Sequence, residues 1–133
     1  IEIIINLVMK KSLKKWQKIL NNSVAIGLLL YFVTHIIIWF QVNGQFVWPW
    51  AEKNPWTMAL LGFPISYVLI IATKYIVTGF DGLLWPGRLM GFGSGMIVMA
   101  ILTWCILGEG ISTKTLVSLV LATTLVFIQV FWK

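Results

Sequence analysis

His35 stands near the middle of a long uncharged apolar run, with Tyr31 one helical turn before it and Thr34 beside it. Imidazole titrates near neutral pH, so a histidine held away from water can relay protons or bind an acidic ligand. The alternative is a neutral ring hydrogen-bonded to a carbonyl or hydroxyl of an adjacent helix. No carboxylate lies within the apolar runs to pair with it. Lys74, toward the end of the second run, either snorkels its ammonium to headgroups or turns it to a solute. Tyr31, His35 and Lys74 are therefore the candidate substrate contacts. Arg88 opens the third run, close in sequence to Asp81, and suits a loop ion pair or a lipid phosphate. Thr123, Thr124 and Gln129 in the fourth run are expected to hydrogen-bond across helices.

The remaining chemistry is sparse. The single cysteine, Cys105, can form no intramolecular disulfide, and CxxC patterns are absent. Its expected role is packing, with a reactive thiol as the alternative. There is no Ser/His/Asp set, no pair of carboxylates within the apolar runs, no metal-spaced His/Cys cluster and no phosphate-cradling loop. The expectation is a non-enzyme with no metal and no cofactor.

The elements that must hold these residues are four apolar stretches, approximately residues 24–42, 57–77, 89–107 and 115–132. Each is close to the ~20 residues an α-helix needs to cross ~30 Å of hydrocarbon. The chain has 133 residues, is 59% hydrophobic and only 11% charged. A water-soluble fold of that size could not cover so much apolar surface. The expected fold is an all-α membrane protein: four transmembrane helices, preceded by a short basic amphipathic segment (residues 1–22), in one integral membrane domain.

Charge distribution sets the expected orientation. Of the ten Lys and Arg, eight fall on one side of that layout: Lys10, Lys11, Lys14, Lys15, Lys18, Lys74, Arg88 and Lys133. Only Lys53 and Lys114 fall on the other. By the positive-inside rule both termini face the cytoplasm, as expected of a bacterial inner-membrane protein. Trp39, Trp48, Trp50 and Trp56 then mark the outer interface, and Trp16, Trp85 and Trp132 the inner one. Trp48-Pro49-Trp50 and Asn54-Pro55-Trp56 predict a first loop folded back onto headgroups. Glu109 belongs to outer-side water or headgroups.

The amino-terminal lysines admit two readings, nucleic-acid binding or an anchor on anionic lipid headgroups. A transmembrane run begins a few residues later, so the anchor is expected, with Arg88 as a further lipid-facing charge and no nucleic-acid partner. Residues 1–8 precede Met9, whose following Lys10, Lys11, Ser12, Leu13, Lys14 and Lys15 read like a bacterial membrane-protein start. The upstream stretch is expected to be a translated leader or an artefact rather than a cleaved signal peptide.

Helix breakers and small residues suggest where the helices bend and touch. Gly62 and Pro64 predict a kink in the second span, relieved by neighbouring helices or by Ser66. Pro86 suits a helix start. Gly87, Gly91 and Gly95 recur at four-residue spacing, and Gly93 lies among them, so close helix approach or a hinge is expected there. A dinucleotide-binding fingerprint is excluded, since no strand precedes these glycines.

From Gly91 onward the chain resembles the small multidrug resistance proteins of the drug/metabolite transporter superfamily. The resemblance rests on Gly93-Ser94-Gly95, then Ile101-Leu102-Thr103-Trp104, then Gly108-Glu109, a short polar turn and a last apolar helix. The first half is similar only in layout. The resemblance implies a four-helix subunit that dimerises through its last helix, while the first three line a central chamber. It also implies alternating access driven by proton exchange, with the glycine face as a bending point. Two departures stand against export of aromatic cations: the first span lacks the family's embedded glutamate, His35 occupying a comparable depth, and Gly91 stands where drug exporters carry tryptophan. The uneven charge also opposes the family's dual insertion. The expected function is a small solute carrier, or one subunit of a homo- or hetero-oligomeric pair, taking an anionic or neutral solute. The alternative is a non-transporting accessory or structural subunit of a larger membrane complex.

Overall fold

The computed structural model describes residues 1–132, and within them the side chains of all but residues 19–21; Lys133, counted above with the inner charges, lies outside the described residues. Every regular element among the described residues is helical. They are α1 (Glu2–Asn43), a 3-10 turn (Gly44–Phe46), α2 (Pro49–Lys53), α3 (Pro55–Leu60), α4 (Gly62–Gly79), α5 (Trp85–Leu107) and α6 (Thr113–Phe131). Four segments are long and apolar enough to cross a membrane: Glu2–Phe46, Pro55–Gly79, Trp85–Leu107 and Thr113–Phe131. The first two contain the expected runs and extend them at both ends; the third begins four residues earlier and ends at the same Leu107, and the last begins two residues earlier and stops at Phe131.

The first of these departs from expectation. Residues 1–22 do not form a separate segment, because α1 runs through them into the apolar run as one helix of 42 residues. At 1.5 Å per residue that is ~63 Å, about twice the ~30 Å of a hydrocarbon layer. No proline or glycine occurs before Gly27, and the asparagines at 21 and 22 are weak rather than forbidding helix residues. Lys10, Lys11, Lys14, Lys15 and Lys18 fall on one face by helical spacing, opposite Met9, Leu13 and Trp16, and all are exposed.

The expected disturbance of the second span falls at Leu61, where the hydrogen-bond ladder is interrupted between α3 and α4 while Leu61 keeps helical dihedrals (φ −63°, ψ −19°). Pro64 has no N–H for the carbonyl of Leu60. Around the break, the Leu61 amide turns back to the Met58 carbonyl at 3.2 Å, and the ladder resumes with the Ile65 amide on Leu61 at 3.2 Å. Relief comes from α1: Gln41 Nε2 donates to the same Met58 carbonyl at 3.0 Å. Ser66, the local alternative, is exposed. Gln41→Leu is expected to cost about 0.6–1 kcal/mol and to speed amide exchange at residues 61–65; unchanged exchange there would refute this role.

The first loop folds back against the end of α1. Trp48 stacks on Phe40 of α1 with ring centroids 5.8 Å apart, and Trp39 meets the same Phe40 edge-on at 5.1 Å. α5 starts with Pro86 in its first turn and ends on Gly108, whose φ of 68° supplies a left-handed cap. α6 starts at Ser112, whose Oγ accepts the Thr115 amide at 3.3 Å.

α1 is the spine. α4 and α5 both pack on it and touch each other sparingly, while α6 packs on α5. The core where α1, α4 and α5 meet is Tyr31, Ala72, Ile76 and Met90, all buried. Gly27, not singled out above, makes the α1–α4 approach possible: a Cβ there would lie 2.7 Å from the Ile76 side chain and 3.0 Å from the Ala72 carbonyl. A second tie joins α1 to α5, where Trp39 Nε1 donates to Thr103 Oγ1 at 3.0 Å.

Candidate functional site

Because α4 and α5 diverge from a shared contact with α1, a cleft of about 520 Å³ opens between them. Tyr31 and His35 of α1 form its floor, Leu69 and Thr73 of α4 one wall, and Leu84, Gly87, Arg88, Gly91 and Phe92 the other. Such a volume falls in the usual range for small-molecule sites.

The glycine spacing builds this seam. Gly87 faces the junction of α4 and α1, where an added Cβ would lie 3.4 Å from Ile76 and 3.6 Å from the Tyr31 hydroxyl, while Gly91 and Gly95 face α1, 3.6 Å from the Tyr31 ring and 2.9 Å from the His35 ring. Gly93 faces the other way, into α6, where a Cβ would meet Val126 Cγ2 at 2.5 Å and the Ala122 carbonyl at 2.8 Å. The four glycines thus serve two interfaces. α5 is unbroken across all of them.

The floor is polar and ordered. Tyr31, only 5% exposed, joins its hydroxyl to Thr73 Oγ1 at 3.0 Å, bridging α1 and α4. His35 Nδ1 lies 2.7 Å from the Tyr31 carbonyl. A carbonyl can only accept, so Nδ1 carries the proton. The Ser94 hydroxyl donates to the Gly91 carbonyl at 3.0 Å, which leaves a lone pair toward His35 Nδ1 at 3.4 Å. Both contacts select one tautomer. In the neutral ring Nε2 is then the free acceptor, and Gly95 leaves the space in which that edge of the ring sits.

Of the three candidate contacts, the fold brings together Tyr31 and His35 and leaves out Lys74. Lys74 is exposed and not part of the cleft lining; its neighbour Thr73 faces in instead. The cation at the cleft is Arg88, itself exposed but part of the lining; the sequence alone points it to a lipid phosphate or a loop ion pair with Asp81. Arg88 lies three residues from Gly91 and four from Phe92, and that helical spacing was the available signal. Thr73 carried no comparable one.

Other expectations resolve outside the cleft. Cys105 is exposed, not packed inside the bundle. Thr124 does not reach across to another helix: its Oγ1 donates to the Val120 carbonyl of its own α6 at 2.7 Å, the usual recourse of a threonine with no polar neighbour. Glu109 is exposed and edges a smaller cavity of about 150 Å³ between α5 and α6.

No protein-family model, curated protein or solved structure matches the chain. Fold and site therefore define its class: an all-helical protein with four helices long and apolar enough to cross a membrane. A polar-floored cleft lies between three of them.

Proposed function

We propose that the chain is a carrier subunit of the bacterial inner membrane, with both termini cytoplasmic, similar in layout to the drug/metabolite transporters. The solute occupies the cleft between α1, α4 and α5. The observation that carries this reading is a cavity of about 520 Å³ floored by Tyr31 and His35 and edged by Arg88. Among the described residues no carboxylate lines it, which favours an anionic or neutral solute over a cation. The uneven charge of the loops favours one-way insertion. The working assembly is then a parallel pair or a pair with a different chain.

Purified protein in proteoliposomes, offered a panel of labelled carboxylates, phosphomonoesters and phosphate-headed amphiphiles, tests the proposal. Flux above that of empty vesicles is expected for at least one solute. His35→Ala and Arg88→Gln should each lower it about tenfold, the effect of one lost hydrogen bond to a charged group. Lys74→Ala should leave it unchanged. If no solute on the panel moves while the protein co-purifies with a fixed partner in constant ratio, the accessory-subunit reading replaces this one. Its support is the apolar surface left outward on α6, including Leu116, Val120, Leu121 and Phe127.

A further inference from the structure

We infer that the cleft takes an amphiphile with a net-anionic phosphate headgroup, admitted sideways from the leaflet that faces Arg88. This deepens the carrier proposal and rests on its reading of the cleft as a ligand site within a bilayer.

Depth supplies the first argument. Arg88 is the fourth residue of a 23-residue helix, so it lies ~4.5 Å along an element ~35 Å long. In a hydrocarbon layer of ~30 Å that is the boundary with the headgroups. Leu69 lies ten residues before the end of α4 at Gly79, ~15 Å in by the same rise. The cleft therefore runs from headgroup level at Arg88 to mid-bilayer at Leu69 and His35. A ligand that fills it changes character along its length.

Charge supplies the second. The guanidinium matches the planar, bidentate geometry of phosphate oxygens, and it stands in the first turn of α5, where the helix dipole also favours an anion. No carboxylate lines the cleft among the described residues. A choline or ethanolamine ammonium would find no counter-charge, so an anionic headgroup is preferred to a zwitterionic one.

The walls supply the third. Behind Arg88 the Tyr31–Thr73 hydroxyl pair offers partners for headgroup hydroxyls. Phe92, one turn deeper than Arg88, is 59% exposed. On the outward side of a membrane helix that surface meets lipid chains, so a tail can leave the cleft without leaving hydrocarbon. A free phosphomonoester would satisfy Arg88 and leave the apolar walls unmatched.

Native mass spectrometry of the detergent-released protein, titrated with phosphatidylglycerol, phosphatidylcholine and glycerol 3-phosphate, tests this. Phosphatidylglycerol is expected to bind about tenfold more tightly than phosphatidylcholine, and Arg88→Gln to remove most of that preference, as one charge-assisted contact predicts. Arg88→Lys should retain part of it, Phe92→Ala should weaken both lipids, and Lys74→Gln should change nothing. Glycerol 3-phosphate should not displace the lipid. Equal binding of the two lipids, an Arg88→Gln protein indistinguishable from the parent, or displacement by glycerol 3-phosphate would each overturn the inference, the last in favour of a free phosphate ligand. Failure of this inference is separable from failure of the carrier proposal. Arg88-dependent lipid binding without any solute flux sinks only the carrier. Flux without Arg88-dependent lipid binding sinks only the amphiphile.

Discussion

Gly93→Ala destabilises the protein by about 1–3 kcal/mol, the usual cost of overpacking a tight contact, whereas Gly91→Ala changes stability by a small fraction of that. Both positions lie on α5, two residues apart, and the substitutions are chemically identical. What differs is the neighbour. At Gly91 the new Cβ would sit 3.6 Å from the Tyr31 ring, an ordinary contact. At Gly93 it would sit 2.5 Å from Val126 Cγ2 and 2.8 Å from the Ala122 carbonyl. The valine could rotate away, but the carbonyl is backbone of α6 and can only retreat with its helix. Among the described residues α6 packs mainly against α5, so little else holds it in place. Thermal melting in detergent should therefore show a lower midpoint for Gly93→Ala, with limited proteolysis appearing first in the α5–α6 loop. Equal melting of the two variants would refute the assignment of Gly93 to this interface.

Replacing Lys10, Lys11, Lys14, Lys15 and Lys18 by glutamine turns a single insertion into a mixture. The five lysines carry most of the proposed inner-side charge; without them Lys74, Arg88 and Lys133 oppose Lys53 and Lys114, almost evenly. Loop Lys and Arg near the ends of spans set orientation, and near balance leaves neither direction strongly favoured. The helix itself should persist, because glutamine and lysine have similar helix propensity and all five side chains are exposed. Reporters fused to the amino terminus should read one side in the parent and both sides in the variant. A variant that still inserts one way would show that something other than these lysines directs the chain.

The scale of the fold was legible in the residues. Four uninterrupted apolar runs specify four long helices. Pro64 specifies a break within a few residues of where it occurs, because a missing N–H and a steric clash act locally. Gly108 and Ser112 mark a helix end and a helix start for similarly local reasons. The length of α1 was misread for the opposite reason: nothing in residues 19–26 forces a stop, and a change from basic to apolar composition is not a helix breaker.

The site was only half legible. Tyr31 and His35 both line the cleft, and a polar pair one turn apart in an apolar run is conspicuous in sequence. Arg88 rather than Lys74 lines it with them, and Thr73 joins without a sequence signal. In water, hydrophobic periodicity separates the buried face of a helix from the exposed one. Helices that are apolar on all sides lose that contrast, since lipid tails are as apolar as a protein interior. Composition and local stereochemistry alone thus settled that the chain carries four long apolar helical runs, where proline, glycine and serine interrupt or cap them, and how charge divides along the sequence. Which glycine meets which helix, which cation reaches the cleft and which polar atoms share its floor were decided by packing of the assembled chain, because those facts depend on close approach between residues far apart in sequence.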